Sequence, residues 1–267
     1  MIITNKKIFG LIMIVIFAGL ITVTVVCYNT KSRPETINIT DSSLEKLIRY
    51  ELNKPEGSLV EEELKGIKNL SFHKNGSMLS SYINERLIAL EKKMGASIDL
   101  RELKYLPNLE SISFHGIKVK NLDGLKYTPN LKRLSLWDVG NNDIEVLRYL
   151  NNLTELHLGY NNIKDISPIA ALTQLEVLRL TANNISNVES LGNLIKLTKL
   201  CLDNNKIGEI EPLKGLINLR FLRLDNNQIS DISILMNMNR LELLYIQKNP
   251  IVDYSPLDNL KINTLEK

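Results

Sequence analysis

The chain has 267 residues, of which 44% are hydrophobic and 24% are charged, and its formal net charge at pH 7 is +3. This length and composition are typical of a globular protein able to bury a large core, and they argue against a low-complexity chain. The nearly balanced charge argues against binding to a nucleic-acid phosphate backbone. The two cysteines, Cys27 and Cys201, are too few for a disulfide framework or a cysteine-based structural zinc site.

An uncharged apolar run, IFGLIMIVIFAGLITVTVVCY, extends over residues 8–28. A helix needs about 20 apolar residues to cross a bilayer, and this run is long enough. The run lacks the shorter apolar core and the small-x-small site that are typical of a cleaved signal peptide. We therefore expect residues 1–29 to hold a retained single-pass transmembrane helix. Two alternatives stay open: a buried soluble helix, and a cleaved or lipid-modified N-terminus, in which Cys27 would be acylated although Val26 before it is a poor match.

The charges around this run leave its orientation undecided by the positive-inside rule, because two basic residues precede it and two follow it: Lys6, Lys7, Lys31 and Arg33. With only seven residues ahead of the run, the simplest insertion leaves the N-terminus in the cytoplasm. We therefore expect the rest of the chain to lie outside the cell membrane.

A polar linker, residues 30–41, leads to a segment with helical signals at residues 42–66. Asp41 is a candidate N-cap for the amphipathic stretch SSLEKLIRYEL, and the break NKPEG precedes a second short helix. These helices are expected to form a cap at the N-terminal end of the segment that follows.

The segment that follows is repetitive, because leucine returns at a constant interval at Leu109, Leu131, Leu153, Leu175, Leu197, Leu219 and Leu241. Apolar residues recur at positions four and six of each unit, as in LHLGYNNIKDISPI. A 22-residue period with this pattern predicts seven stacked repeats over residues 109–262, followed by a tail at 263–267. An earlier, interrupted repeat occupies residues 67–108, with an inserted helix at about 76–97 that either packs against the cap or protrudes toward a partner.

An asparagine occupies position nine in five successive repeats: Asn161, Asn183, Asn205, Asn227 and Asn249. At this position the chain turns away from the strand and leaves backbone N–H and C=O groups to satisfy. A carboxamide both donates and accepts hydrogen bonds. We therefore assign these asparagines a structural role as a ladder. The repeat that begins at Leu131 has Val139 in this place, so its turn is expected to be rearranged.

The stretches LHLGYNNIKDISPIAAL and LYIQKNPIVDYSPLDNL resemble the 22-residue repeats of internalin-like leucine-rich-repeat proteins of Gram-positive bacteria, and LNKPEG resembles the cap ahead of such repeats. The resemblance covers residues 42–267. It implies an α/β solenoid, a right-handed horseshoe with a concave parallel β-sheet and a helical N-terminal cap, and it implies protein binding at the cell surface. No cell-wall sorting motif or immunoglobulin-like module follows the repeats in this sequence.

Alternation along each strand places positions three, five and seven on the concave face. Two clusters of aromatic and arginine residues are expected there. The N-terminal cluster comprises Arg133, Trp137, His157 and Tyr160, and the C-terminal cluster comprises Phe221, Arg223, Leu243 and Tyr245. These residue types dominate interface hot spots. The candidate partner-binding residues are Arg133, Trp137, His157, Tyr160, Arg179, Phe221, Arg223, Leu243 and Tyr245.

Catalytic signatures are lacking: the sequence has no glycine-rich phosphate loop, nucleophile elbow or HExxH helix. We predict no catalytic residues, no cofactor and no small-molecule substrate. The histidines on the strands, His73, His115 and His157, have no further metal ligands repeating nearby, so they are expected to be solvated and no metal site is predicted. Cys201 is expected to be an exposed thiol.

The sequence therefore predicts a non-catalytic, membrane-tethered module that binds a protein partner through its concave face outside the membrane. One alternative is a structural or regulatory scaffold that acts on another membrane protein, including from the cytoplasmic side. An enzyme is a more remote alternative.

Overall fold

The computed structural model describes residues 11–17, 20–26, 35–74 and 92–267. The chain divides into two compact units, Met1–Thr36 and Ile37–Lys267. The candidate lipidation residue Cys27 and most of the predicted inserted helix at 76–97 lie outside the described residues.

Two antiparallel strands, β1 (Leu11–Phe17) and β2 (Leu20–Val26), form within the apolar run of the first unit. The prediction of a single transmembrane helix over this run is therefore wrong for the described residues. The sequences LIMIVIF and LITVTVV are rich in Ile, Val and Thr, which favour strands because their branched side chains are restricted in a helix. In the part of the chain that the structure describes, no helix combines the length and the apolar character needed to cross a bilayer.

The short strand β3 (Thr36–Ile37) stands at the boundary of the two units. The second unit then has short elements at one end of its core: α1 (Ser42–Glu51), β4 (Leu59–Val60) and α2 (Glu61–Lys65). The Asp41 side chain caps α1 by accepting a hydrogen bond of 2.7 Å from the backbone N–H of Leu44. Leu44 and Leu47 of α1 are fully buried and belong to the same hydrophobic cluster as the leucines of the repeats. Glu102 fastens the start of α1, because its carboxylate accepts from the backbone N–H of Thr40 at 2.8 Å.

The remaining strands are short, and from β9 to β15 they begin about one repeat apart. They are β5 (Asn69–His73), β6 (Ser97–Asp99), β7 (Ser111–His115), β8 (Lys118–Lys120), β9 (Arg133–Trp137), β10 (Glu155–His157), β11 (Val177–Arg179), β12 (Lys199–Cys201), β13 (Phe221–Arg223), β14 (Leu243–Tyr245) and β15 (Thr264–Glu266). Within the described residues, a nine-stranded sheet has the order β15-β14-β13-β12-β11-β10-β9-β7-β5. Every neighbouring pair in it is parallel. β6 and β8 form a separate parallel pair, and β15 lies in the predicted tail.

The core lies behind this sheet and follows the predicted alternation. Leu134, Leu180 and Leu244, at positions four and six, are at most 1% exposed. The return segments of the coil are 3-10 helices at Leu100–Tyr105, Leu122–Tyr127, Glu145–Tyr149, Ser167–Ala171, Glu189–Leu191, Glu211–Gly215, Ser233–Asn237 and Ser255–Leu257. Three of them have a proline in their first turn, whose fixed φ suits a helix start. Each coil thus buries its apolar side chains against the coils before and after it.

The position-nine asparagines connect consecutive coils. The Asn183 amide donates to the carbonyls of Leu158 (3.0 Å) and Leu180 (2.9 Å). Its carbonyl oxygen accepts from the backbone N–H of Ile163 at 2.9 Å. Asn161, Asn205, Asn227 and Asn249 repeat the pattern of donation to the preceding coil. Each carboxamide therefore satisfies backbone groups that the turn would otherwise bury without partners.

The repeat that begins at Leu131 has Val139 at position nine instead of asparagine. The backbone N–H of Val139 donates to the side-chain oxygen of Asn161, in the next coil, at 3.0 Å. The turn is rearranged two residues further on, where the Asn141 amide donates to the Val119 carbonyl at 3.0 Å.

Two further sets of side-chain hydrogen bonds recur in the repeats, and the sequence analysis did not predict them. Amides of Asn108, Asn130, Asn152 and Asn218, each just before the repeat leucine, donate to a carbonyl of the preceding coil. Side chains of Asp143, Asp165, Asn187, Asp231 and Asp253 accept from the backbone N–H two residues later, at the start of a 3-10 helix. Both sets recur in step with the repeats, so the same period that revealed the leucines was a signal for them.

Replacement of Asn205 by Ala tests the ladder. The change removes hydrogen bonds of 3.0 Å to the Leu180 and Leu202 carbonyls and one of 3.1 Å from the Ile185 N–H. We expect a loss of roughly 1–3 kcal/mol in the free energy of unfolding, the usual cost of orphaned buried polar groups. Equilibrium denaturant unfolding measures it, with Lys206→Ala, an exposed neighbour, as the matched control. Equal stabilities of the two variants would contradict the structural role.

Candidate functional site

The outer face of the nine-stranded sheet, called the concave face below, carries positions three, five and seven of each repeat. The leucines between these positions point into the core. Most concave-face side chains are half-buried by their neighbours in register rather than fully exposed. The face is therefore a packed surface of contacts between repeats, which fixes the positions of its functional groups.

Aromatic rings and imidazoles form a continuous row at the N-terminal end of this face. The His73 and His115 rings stack with centroids 4.1 Å apart and planes 9° apart. His115 lies 6.4 Å from the Trp137 ring, which lies 5.1 Å from the Tyr160 ring. We call these four residues the aromatic row.

The two histidines of the row are not the solvated side chains that the sequence predicted. Ser113 Oγ lies 2.8 Å from Nε2 of His73 and Ser135 Oγ lies 2.7 Å from Nε2 of His115. Burial lowers the pKa of His73. Burial, followed by repulsion from His73 and His157, lowers the pKa of His115 to about 4. Both imidazoles are consequently neutral at pH 7 and act as flat, weakly polar surfaces.

The indole ring of Trp137 packs directly over Gly159. A Cβ atom added to Gly159 would lie 2.5 Å from Cζ3 of the indole, well inside contact distance. Tyr160, which follows, has a φ of +60° and is 52% exposed. Because Gly159 has no side chain, the indole of Trp137 packs flat against the sheet beside the Tyr160 ring. The two rings form an apolar surface. We call Trp137, Gly159 and Tyr160 the aromatic shelf; sequence reasoning missed the part that Gly159 has in it.

The centre of the face holds His157, Arg179 and Cys201, which are neighbours in register on β10, β11 and β12. Nε2 of His157 lies 2.9 Å from Oε1 of Glu155, but the contact lacks hydrogen-bond alignment and Nε2 is buried without a partner, as is Nε of Arg179. Burial, followed by the charges of Arg179 and Lys199, lowers the pKa of His157 to about 4. At pH 7 the contact of His157 with Glu155 is therefore not an ion pair.

Cys201 is buried, with 6% exposure, so the prediction of an exposed thiol is wrong. Its flanking neighbours in register are two arginines, Arg179 and Arg223, whose long side chains can cover a small one. Burial raises the pKa of the thiol, which disfavours the reactive thiolate.

Cations and aromatic rings alternate in the C-terminal cluster. Lys199 Nζ lies 4.4 Å from the centroid of Phe221, the Phe221 and Tyr245 rings are 5.6 Å apart, and the Arg223 guanidinium lies 5.1 Å from the Tyr245 ring. Arg223 also pairs with Asp225, with 2.9 Å from Nε to Oδ2. Lys199, which was not among the predicted residues, therefore belongs to this cluster. Leu243 is half-buried beside Phe221 in register.

The predicted N-terminal cluster is only partly brought together. Trp137 and Tyr160 are in contact, but Arg133 lies at the opposite end of β9 from Trp137, about 13 Å away at the usual rise per residue. Arg133 is instead paired in register with Glu155. Among the described residues, no group of three or more His, Cys, Asp or Glu side chains is arranged to hold a metal ion.

Comparisons with known proteins match the later repeats to a family model. Residues 151–193, 173–215, 195–235 and 217–261 match a family model described as Leucine Rich repeats (2 copies). No curated protein sequence matches the chain. Among solved structures, internalin C2 from Listeria monocytogenes is similar at 26% identity and a TM-score of 0.70, over 84% of this chain and 91% of that one.

Two other solved structures show the same fold. An internalin (inlF) from Listeria monocytogenes has 24% identity and a TM-score of 0.63, over 89% of this chain and 79% of that one. A leucine-rich-repeat protein from Leptospira interrogans has 22% identity and a TM-score of 0.53, over 76% of this chain and 62% of that one.

The repeated coil, the parallel sheet and the asparagine ladder thus define a leucine-rich-repeat protein-interaction module. In its repeats and its fold the chain is similar to internalin C2, the solved structure that it matches at 26% identity.

Replacement of Gly159 by Ala tests the aromatic shelf. Because the new methyl group would overlap the indole, we expect the Trp137 ring to be displaced. Trp137 is the only tryptophan of the chain, so its fluorescence reports the change directly as a shift of the emission maximum. Gly208→Ala is the matched control, since its Cβ would meet nothing nearer than 3.8 Å. Identical spectra for the Gly159 variant and the wild type would show that the indole does not lie on the glycine.

Proposed function

We propose that this protein binds a protein partner through its concave face and performs no catalysis. The observation that carries the proposal is the presence of aromatic and cationic side chains along one open sheet face: Trp137, Tyr160, Arg179, Phe221 and Tyr245. Tryptophan, tyrosine and arginine are the residues that contribute most to protein–protein affinity. Aromatic side chains on a rigid sheet also lose little conformational entropy when a partner arrives.

The size of the face supports a protein rather than a small molecule as the ligand. Nine strands at about 4.8 Å spacing extend over roughly 38 Å. A specific protein interface buries on the order of 800 Å² on each partner, which a face of this length accommodates. The aromatic row at one end and the C-terminal cluster at the other provide two anchoring regions on a single surface.

We further propose that residues 8–28 associate with a cell membrane and that the repeats lie outside it. The support for this part is the sequence itself, an uncharged run between two pairs of basic residues. Apolar segments of this length between basic flanks are typical of membrane association.

Simultaneous replacement of Trp137, Phe221 and Tyr245 by Ala tests the binding face. We expect the affinity for a partner isolated by cross-linking to the full chain to fall at least about 100-fold, because hot-spot aromatics typically contribute about 2 kcal/mol or more each. Calorimetry or surface plasmon resonance measures the change. A partner that bound the triple variant as tightly as the wild type would exclude this face as its site.

The matched control for this experiment is Tyr149→Ala. Tyr149 is 67% exposed at the end of the 3-10 helix Glu145–Tyr149, away from the sheet. Its loss should leave the affinity unchanged, and circular dichroism of both variants checks that the repeats still fold.

Deletion of residues 8–28 tests the membrane proposal. We expect the wild-type protein to sediment with membranes and its repeats to be cleaved by protease added to intact cells, whereas the deletion variant moves to the soluble fraction. The physical reason is the loss of the uncharged run. Wild-type protein in the soluble fraction would refute membrane association, and repeats protected in intact cells would instead favour a cytoplasmic-facing scaffold.

A further inference from the structure

In the repeats of β9 to β12, the concave face carries three cations, Arg133, Arg179 and Lys199, and two carboxylates, Glu155 and Asp203. Among the described residues, Arg133, Arg179 and Lys199 form no salt bridge, in contrast to Arg223, which pairs with Asp225. The other central acid, Asp203, is engaged by hydrogen bonds of 2.8 Å from Thr181 and 2.9 Å from Asn204. This part of the surface therefore presents cations that form no salt bridge, one of which, Lys199, lies over the Phe221 ring.

Arg179 stands out among these cations because of its position and its unmet hydrogen-bonding capacity. It lies at the centre of the face, one strand from His157 and one strand from Cys201. Its Nε atom is buried without a hydrogen-bond partner, and so is Nε2 of the neighbouring His157. A partner cannot reach the buried Nε, so an acceptor from outside would bind the two terminal nitrogens of this half-buried side chain.

The electrostatic environment at this point is positive. The charges of Arg179 and Lys199 add to burial in lowering the pKa of His157, so an approaching anion meets an attractive potential. The carboxylate of Glu155, on the neighbouring strand β10, is in contact with the neutral His157 ring and forms no salt bridge with Arg179.

The spacing of the cations distinguishes between anions. Arg133, Arg179 and Lys199 lie on three different strands, β9, β11 and β12, and Arg133 and Lys199 are separated by about 14 Å at the usual strand spacing. A single phosphate needs several donors that converge on one point. Separate cations along a sheet instead match the single charges of successive carboxylate side chains.

An apolar site lies next to these cations. The aromatic shelf begins one strand from Arg179, because Gly159 and Tyr160 closely follow β10 in the chain. Tyr160 is 52% exposed and its ring is 5.1 Å from that of Trp137. A partner side chain seated there would be apolar or aromatic.

We propose that the concave face recognises an acidic segment of its protein partner, in which an Asp or Glu carboxylate binds the two terminal nitrogens of Arg179 and a nearby apolar side chain packs on the aromatic shelf. The inference rests on the proposed function and adds the chemistry of the partner to it. A carboxylate held by two parallel N–H···O bonds is the geometry for which arginine is best suited. Arg133 and Lys199 then attract further acids of the same segment.

The experiment uses phage-displayed random dodecapeptides as the probe and the full-length protein as the bait. We expect Asp and Glu to be enriched in peptides that bind the wild type, together with an aromatic or large aliphatic residue. The same selection on Arg179→Gln should show no acidic enrichment, whereas Arg148→Gln, an exposed arginine on a 3-10 helix away from the sheet, should behave as the wild type.

A double-mutant cycle then isolates the pair. For a synthetic fluorescent peptide from the selection, replacing its acid by the amide should weaken binding about 10-fold with the wild type and less than about 2-fold with Arg179→Gln. Arg179→Lys keeps the positive charge but loses the paired N–H donors of the guanidinium. The acid-to-amide replacement should therefore weaken binding to this variant by an intermediate factor. Unfolding by denaturant verifies that each variant remains folded.

The outcomes separate this inference from the proposed function. Bound peptides without acidic enrichment, an acid-to-amide cost that Arg179→Gln does not change, or a selection that returns no binding peptide would each overturn the acidic-segment proposal. If such peptides nevertheless lost affinity when Trp137, Phe221 and Tyr245 are replaced by Ala, concave-face binding would stand. If peptide binding changed neither in the Arg179 variants nor in the triple Ala variant, the acidic-segment proposal and the proposed concave-face function would both be contradicted.

Discussion

Carboxamide hydrogen bonds between consecutive coils are the interaction on which this structure depends. A single coil has too little interior to be stable by itself and must bury its leucines against its neighbours. Such stacking brings each turn into a dry environment, where unpaired backbone groups are costly. Asn183 and its equivalents resolve this conflict, since one side chain donates to carbonyls of two coils and accepts from a third backbone group.

The same constraint shapes the functional surface. Position eight, just before the ladder asparagine, adopts a positive φ between +53° and +60° in six repeats, at Asp138, Tyr160, Ala182, Asn204, Asn226 and Lys248. The positive φ turns the backbone away from the strand, so the side chain at position eight lies at the edge of the sheet. In one repeat that residue is Tyr160, and the preceding position is Gly159, so the geometry that closes the coil also creates a shelf for Trp137.

Packing between repeats also sets the electrostatics of the concave face. Neighbouring strands bring side chains of equal position into register, so His73 stacks on His115 and Arg179 lies between His157 and Cys201. The partial burial that results keeps the imidazoles neutral and the thiol protonated by shifting their pKa values. The face thus combines neutral rings with cationic side chains, of which Arg133, Arg179 and Lys199 form no salt bridge while Arg223 pairs with Asp225.

The sequence by itself determined the repeat length, the inward positions and the role of the asparagines, because these follow from a period that every coil must obey. It also located the aromatic side chains of both clusters. It did not determine the use of Gly159 or Lys199, or the separation of Arg133 from Trp137, because these depend on which side chains meet across neighbouring strands. Nor did it determine the state of residues 11–17 and 20–26, where a run of Ile, Val and Thr is compatible with a helix or with paired strands. Only the tertiary structure decided which polar atoms are buried without partners, since burial depends on the summed volume of neighbours from three repeats.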